Sequence, residues 1–311
     1  MLQQLETGIA LDFVLWVQSF QAVFLDTLAQ ILDAAGSNLA YVFILPLIYW
    51  SINRQMARRL LFVLVVTGLL TVSMKIGFAR PRPSTAHPDL VRQMFETASY
   101  AFPSGHVAIA AALWVYAALW VRRLWFSVFV ALYILLMSWS RIYSGTHYPH
   151  DVIMGAIVGT GSAFGVRYGM PGLAHFWTNH VPKPVEIVLI IAIGIGAAFA
   201  SQGEVTGVAA AGAAIGAALG LTLEESFVQF RTHGTLMKRI ARFTLGLILT
   251  GLIFFGLMQV LESNKWFNIL QYSITILFAL GIYPWIAVKL GLADRAEERV
   301  EHDSVILQDI T

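Results

Sequence analysis

Long apolar runs dominate this sequence and constrain its fold more than any other feature. Nine stretches of about 20 mostly apolar residues follow one another, at 37–53, 57–79, 104–121, 124–142, 149–168, 184–201, 204–222, 243–261 and 268–288. A stretch of this length can cross a bilayer as a helix, because a helix satisfies its own backbone hydrogen bonds. In keeping with this, 58% of the residues are hydrophobic and only 12% are charged. The sequence therefore predicts an all-α, polytopic bundle of about nine transmembrane helices.

Composition also excludes several classes of function. The net charge of +2 is too small to indicate a nucleic-acid partner, and the basic residues are spread between the apolar runs. Because the chain has no cysteine, it cannot form a disulfide, a thiolate zinc site or an iron–sulfur cluster. Membrane lipids are therefore the surroundings that the sequence predicts, and no nucleic acid is expected.

The segment before the first run is apolar but carries regularly spaced polar residues. Asp12, Ser19, Asp26 and Asp33 recur every seven residues, while the large apolar side chains face elsewhere. We interpret residues 8–32 as an amphipathic helix that lies in the membrane interface. A tenth spanning helix, with its carboxylates turned into the bundle, is the alternative that the sequence leaves open.

The runs group into three parts along the chain. Residues 1–36 hold the amphipathic helix, 37–170 form a membrane-embedded core, and 171–311 add further spans and a charged cytoplasmic tail. Several glycines have the small-xxx-small spacing that allows helices to pack closely. They are Gly155 and Gly159, Gly161 and Gly165, and the series Gly212, Gly216 and Gly220.

Orientation follows from the positions of the basic residues. Most of the 20 Lys and Arg residues lie in connections on one side of the predicted bundle, which the positive-inside rule assigns to the cytoplasm. Positive charges on the opposite side call for a functional reason. That side holds Lys75, Arg80, Arg82, Arg92, Arg141 and Lys265.

Three short polar segments on the outer side carry the residues capable of chemistry. They contain, in chain order, Lys75 and Arg82, then Ser104, Gly105 and His106, and finally Arg141, His147 and Asp151. Phosphoryl transfer needs cations and hydrogen-bond donors around the phosphate, a nucleophile in line, and an acid for the leaving group. The three segments supply candidates for each of these parts.

Several of these residues could bind an anion. Lys75, Arg82 and Arg141 supply three positive charges, whose cost near lipid calls for an anionic partner. Ser104 and Gly105 stand where a helix is predicted to begin, so backbone N–H groups and the serine hydroxyl can face a phosphate. Together they predict a phosphate-binding site.

The third segment pairs a histidine with a carboxylate. His147 and Asp151 are four residues apart at the start of a predicted helix, so the carboxylate could hydrogen-bond one ring nitrogen and leave the other free to attack. A metal site at His147, His150 and Asp151 is the rival interpretation. A third strong ligand is missing nearby, and the adjacent cations would repel a metal, so we expect neither a metal nor a cofactor.

In order and spacing, the three segments resemble the motifs of the type 2 phosphatidic acid phosphatase family, which is related to the vanadium haloperoxidases. The family pattern is Lys-x6-Arg-Pro, Pro-Ser-Gly-His and Ser-Arg-x5-His-x3-Asp, and this sequence matches it at every position. The resemblance covers about residues 37–170 and implies that the core is a membrane phosphatase of this kind.

The resemblance also implies a role for each residue. His147 would be the nucleophile that becomes phosphohistidine, Asp151 would fix its tautomer, and His106 would protonate the leaving oxygen and later activate water. The remaining motif residues would bind the phosphate throughout. These are Lys75, Arg82, Ser104, Gly105 and Arg141.

The substrates of the family that the sequence resembles define the function that we expect. We expect hydrolysis of phosphatidate, phosphatidylglycerophosphate, a polyprenyl diphosphate or a sphingoid-base phosphate, in the plasma or inner membrane with the site on the extracytoplasmic face. Gly105 departs from sphingosine-phosphate phosphatases, which usually have threonine there. The alternatives left open are a phosphotransferase using the same phosphohistidine, a sugar-phosphate phosphatase, and a lipid transporter or scramblase that only binds phosphate. A homodimer is also left open.

Overall fold

Helices make up nearly all of the regular structure. The computed structural model describes residues 8–97, 99–169, 172, 180–200, 205–261 and 264–295. Within them, the only β-type pairing is an isolated bridge between Phe230 and Arg295. The helices are α1 (Ile9–Gln18), α2 (Val23–Ala35), α3 (Asn38–Leu47), α4 (Arg54–Phe78), α5 (Pro83–Ala86), α6 (Gly105–Val121), α7 (Leu124–Tyr143), α8 (Pro149–Phe164), α9 (Lys183–Ala200), α10 (Val205–Leu223), α11 (Leu236–Val260), α12 (Lys265–Leu277) and α13 (Tyr283–Lys289).

The chain divides into two compact units. The first comprises Met1–Tyr41, Phe62–His180 and Ala200–Gly207, and the second comprises Val42–Leu61, Val181–Phe199 and Val208–Thr311. One π-helical turn continues each of α3, α8, α10 and α12. These turns are Ile48–Ile52, Gly165–Gly169, Glu224–Val228 and Phe278–Ile282.

All nine predicted runs form helices, but the predicted count of nine spans is not confirmed. Within the described residues, six helices are long and apolar enough to cross a membrane, or seven if α1 and α2 form one broken span. The runs that became α3, α6 and α8 are not among these helices, and their α-helical parts are 10, 17 and 16 residues long.

The prediction of one continuous amphipathic helix at the N-terminus is wrong. Two helices, α1 and α2, meet there at 115°. The chain bends because both helices bury apolar residues in the same core, among them Leu11 and Val14 on α1 and Leu32 on α2. The carboxylates of Asp26 and Asp33 pair with arginines of the first unit, while the alternative of a tenth spanning helix stays a prediction.

Glycines on α8 let it pack directly against the backbone of α6. A Cβ atom on Gly155 would lie 2.6 Å from the carbonyl oxygen of Ser104, and one on Gly159 would lie 2.8 Å from Cβ of Ala111. The packing predicted for this pair is therefore confirmed. A Cβ on Gly161 would meet nothing within 4 Å, and the same holds for Gly165. The prediction of close packing is wrong for that second pair within this chain.

The second unit is built around aromatic side chains and one buried carboxylate. Trp50 Nε1 donates to the carbonyl oxygen of Ala279 at 2.9 Å, and its ring packs edge-on against Tyr283. The fully buried Glu224 accepts hydrogen bonds from Arg54 and Arg58. Gly212, Gly216 and Gly220 pack against α12 and the turn that follows it, as their spacing predicts.

We expect Gly159→Ala to destabilise the protein by about 1–3 kcal/mol, because the added methyl group overpacks the contact between α6 and α8. Gly161→Ala is the matched control on the same helix, where open space and the better helix propensity of alanine should stabilise by up to about 1 kcal/mol. Thermal unfolding of both variants in detergent checks this. Equal midpoints for the two variants would contradict the packing described for α8.

Candidate active site

The three polar segments meet at one end of four helices in the first unit. Lys75 lies in the last turn of α4, and Arg82 lies in the connection from α4 to α5. The second segment begins α6, Arg141 lies in the last turn of α7, and Asp151 lies in the first turn of α8. The backbone N–H of Ser104 donates to the carbonyl oxygen of Asp151 at 2.9 Å, which joins the starts of α6 and α8.

Lys75 and Arg82 are buried and share two acceptors, the hydroxyl of Ser99 and the carbonyl oxygen of Tyr100. The Oγ atom of Ser99 lies 3.3 Å from Lys75 Nζ and 3.0 Å from Arg82 Nη2. Backbone carbonyls also accept from them, since Lys75 Nζ donates to Tyr100 and Arg82 Nε donates to Ser99 at 2.7 Å. Ser99 had no signal in the sequence, because it belongs to no motif and precedes the second segment.

His147 is held between a cation and a carboxylate. Its Nε2 lies 3.1 Å from Arg82 Nη1, and its Nδ1 lies 3.5 Å from Asp151 Oδ2. A guanidinium can only donate, so Nε2 is the acceptor and the ring proton belongs on Nδ1, facing the carboxylate. The lone pair of Nε2 therefore points toward the cations.

Asp151 is fixed by its own helix. Its Oδ2 accepts from the backbone N–H of Tyr148 at 2.8 Å, which caps the first turn of α8. Its Oδ1 lies 3.3 Å from His150 Nε2, so the carboxylate stands between two histidines. Asp151 is fully buried, which keeps its orientation toward His147 constant.

The surroundings of His147 favour the neutral ring. Burial lowers the pKa of His147 well below the ordinary value of 6.5, and the positive charges of Arg82, Lys75 and Arg141 act in the same direction. At neutral pH the imidazole is thus uncharged and can act as a nucleophile.

Several hydrogen-bonding groups beside these cations are buried without a partner, and two of them can donate to an anion. These two are the hydroxyl of Ser104 and the Nη2 atom of Arg141. Buried donors in proteins are almost always satisfied, so such a pair calls for a missing acceptor. Gly105 begins α6 next to them, and a Cβ there would lie at an ordinary 3.9 Å from Lys75 Cε.

Two motif residues, Arg141 and His106, contact the same carboxylate on α2. Arg141 Nη1 donates to Asp33 Oδ1 at 2.6 Å, and His106 Nε2 lies 3.5 Å from the same oxygen. Sequence reasoning assigned Asp33 no role, although an acidic residue in an apolar segment is a signal that could have singled it out.

The structure brings all eight predicted site residues together. Their arrangement provides three buried cations, two unpartnered donors and a neutral imidazole, which suits a phosphate ester. Within the parts of the chain that the structure describes, no three His, Asp or Glu side chains gather in a way that could hold a metal ion.

The depressed pKa predicts how stability depends on pH. The folded protein binds a proton at His147 less readily than the unfolded chain, so stability falls as the pH drops below the ordinary pKa of 6.5. We expect the thermal midpoint to fall between about pH 7 and about pH 5 more steeply for the wild type than for His147→Asn, which cannot titrate. Thermal unfolding across this range checks it, and parallel curves would contradict a buried neutral His147.

Two family models match the chain. Residues 57–175 match the PAP2 superfamily, and residues 208–295 match the PAP2 superfamily phosphatase, transmembrane extension.

Similar proteins include phosphatases of lipids. Dihydrosphingosine 1-phosphate phosphatase YSR3 of Saccharomyces cerevisiae is 28% identical over 159 residues, which are 48% of this chain and 39% of that protein. Lipid A 4'-phosphatase of Bacteroides thetaiotaomicron is 38% identical over 60 residues, which are 19% of this chain and 27% of that protein. The chain thus spans less than half the length of the curated relatives it matches.

The chain is also similar to solved structures, one of which belongs to a shorter chain. The crystal structure of Aquifex aeolicus LpxE aligns with 50% of this chain and 93% of its own, with 24% identity and a TM-score of 0.47. The two matched regions account for most of the described residues. The chain belongs to the PAP2 superfamily, with the superfamily domain at 57–175 and its transmembrane extension at 208–295.

Proposed function

We propose that this protein is a metal-independent membrane phosphatase that hydrolyses a lipid phosphate through a phosphohistidine intermediate. The observation that carries the proposal is the position of His147, whose Nε2 lies 3.1 Å from Arg82 Nη1 and whose Nδ1 lies 3.5 Å from Asp151 Oδ2. A binding site alone would need the cations but would not need an oriented, neutral imidazole. The geometry thus favours nucleophilic catalysis over transport.

The first step forms the intermediate. The phosphate binds beside Nε2 of His147, and it is held by Lys75, Arg82, Arg141 and the hydroxyl of Ser104. The lone pair of His147 Nε2 attacks phosphorus, and the bond from phosphorus to the leaving oxygen breaks. That oxygen takes a proton from the imidazolium of His106 and departs as an alcohol.

The second step returns the enzyme to its starting state. A water molecule gives a proton to the neutral His106 and attacks phosphorus, while the bond to His147 Nε2 breaks. Inorganic phosphate leaves, His147 is again neutral, and His106 is again an imidazolium. Asp151 stabilises the positive charge on the phosphorylated ring through the Nδ1–H group in both steps.

The names of the relatives support a substrate class. Sphingoid-base phosphates and lipid A each carry a phosphate monoester on an amphiphile, and the apolar helices place this chain in the membrane where such lipids lie. We therefore propose a lipid phosphate monoester as the substrate. We also propose that the site lies on the extracytoplasmic face of the plasma or inner membrane, which the excess of Lys and Arg on the other side supports.

His147→Ala should abolish phosphate release, because the nucleophile is lost. The measurement is phosphate release by the purified protein in detergent with EDTA, from sphingosine phosphate, phosphatidate, phosphatidylglycerophosphate, undecaprenyl diphosphate and glucose phosphate. Vanadate should inhibit the wild type by occupying the phosphate site. The exposed His233 provides the control, since His233→Ala should retain full activity.

Each result of that experiment has a defined meaning. Activity that EDTA removes would contradict the metal-independent proposal, and activity that survives in folded His147→Ala would contradict the nucleophile assignment. A wild type that becomes phosphorylated on histidine but releases little phosphate to water would instead indicate a phosphotransferase.

Asp151→Asn should lower kcat by on the order of 10²-fold, because an amide cannot hold the Nδ1–H tautomer and stabilise the charged ring as a carboxylate does. Steady-state kinetics on the best lipid substrate check this, with KM changing much less than kcat. A folded variant with nearly unchanged kcat would show that the carboxylate does not orient His147.

A further inference from the structure

We propose that Asp33, on the N-terminal helix α2, is a positioning residue for His106 in the leaving-group step. This inference rests on the proposed phosphatase function and assigns a part of that site to a segment outside the three motifs. Asp33 acts through His106 and Arg141 and does not itself touch the substrate.

The contacts of Asp33 link the two residues. Its Oδ1 accepts a hydrogen bond from Arg141 Nη1 at 2.6 Å and lies 3.5 Å from His106 Nε2. A carboxylate on the Nε2 side leaves Nδ1 as the nitrogen that carries the transferable proton. Asp151 and His147 form a similar pair, so each of the two histidines of the site has a carboxylate next to one of its ring nitrogens.

The end of α2 fits closely against His106. A Cβ on Gly36 would lie only 3.0 Å from His106 Cδ2 and 2.7 Å from Met137 Cε, so the helix end touches the same edge of the ring that Asp33 faces. The end of α2 therefore lies against the Nε2 edge of the His106 ring and places the carboxylate of Asp33 there.

The charge around His106 shows why a carboxylate is needed. The basic side chains of Lys75, Arg82 and Arg141 all oppose the imidazolium that must protonate the leaving oxygen. The positive charge of Arg141 is already shared with Asp33 at hydrogen-bond distance. The carboxylate of Asp33 acts in the opposite direction, and it therefore favours the protonated His106 that the leaving group needs.

Other contacts hold α2 in place without Asp33. Asp26 accepts hydrogen bonds from Arg92 Nη2 at 2.8 Å and from the hydroxyl of Tyr143 at 2.6 Å. Gln18, at the end of α1, donates to the carbonyl oxygen of Tyr143 at 2.9 Å. Removing the charge of Asp33 should therefore leave the helix attached, so that its effect on catalysis can be measured.

The test compares Asp33→Asn with the wild type on two kinds of ester. One is an alkyl ester, sphingosine phosphate or phosphatidate, whichever the wild type hydrolyses faster, and the other is p-nitrophenyl phosphate. Expulsion of an alkoxide needs a proton, whereas nitrophenolate leaves without one. We expect kcat/KM to fall on the order of 10- to 100-fold for the alkyl ester and less than about threefold for the nitrophenyl ester.

Two further variants distinguish the positioning of His106 by Asp33 from the attachment of α2 to the rest of the first unit. Asp12→Asn makes the same chemical change on an exposed residue of α1 and should match the wild type on both esters. Asp26→Asn weakens the attachment of α2 and should lower kcat/KM by equal factors for the two esters, because it does not discriminate between leaving groups.

The outcomes distinguish the inference from the function it rests on. An active wild type whose Asp33→Asn variant loses the same factor on both esters, or gains activity, would overturn the inference alone. A gain would mean that Asp33 competes with phosphate for Arg141. A folded wild type that hydrolyses neither ester would overturn the proposed function and this inference with it.

Discussion

The structure of the first unit depends on three buried cations gathered around one neutral histidine. Lys75, Arg82 and Arg141 are each no more than 6% exposed, although burial of a charge costs several kcal/mol unless it is paired. The protein pairs them with backbone carbonyls, one serine hydroxyl and the carboxylate of Asp33. Such a cluster is balanced when an anion joins it, and the unpartnered donors beside it are where that anion would bind.

The surrounding helices hold the residues of this cluster in position. Glycines on α8 allow contact with the backbone of α6, which fixes the distance between the two histidine-bearing segments. The bent pair α1 and α2 closes the opposite side, where Gln18 and Asp26 bind the connections and Asp33 reaches the site. The N-terminal segment therefore belongs to the first unit both by packing and by charge, although it carries no motif.

Much of the architecture followed from local pattern, and the departures from it have physical causes. Every apolar run became a helix, since burial of backbone polar groups in a membrane leaves few alternatives. The predicted count of nine spans is not confirmed, because only six helices within the described residues, or seven with the bent pair, are long and apolar enough to cross a membrane. The N-terminal segment was taken for one helix, since its seven-residue spacing is continuous through Ser19. The bend there comes from burial of both halves in a shared core, which spacing alone does not reveal.

The sequence by itself determined the helical class, the membrane setting and the residues that gather at the site, because each depends on composition or on short spacings within one segment. Tertiary structure decided which atoms face each other. The contact between Arg82 and His147 spans 65 positions, and that between Asp33 and Arg141 spans 108. No local pattern encodes such pairs, so the tautomer of His147 and the place of Asp33 follow only from how the helices pack.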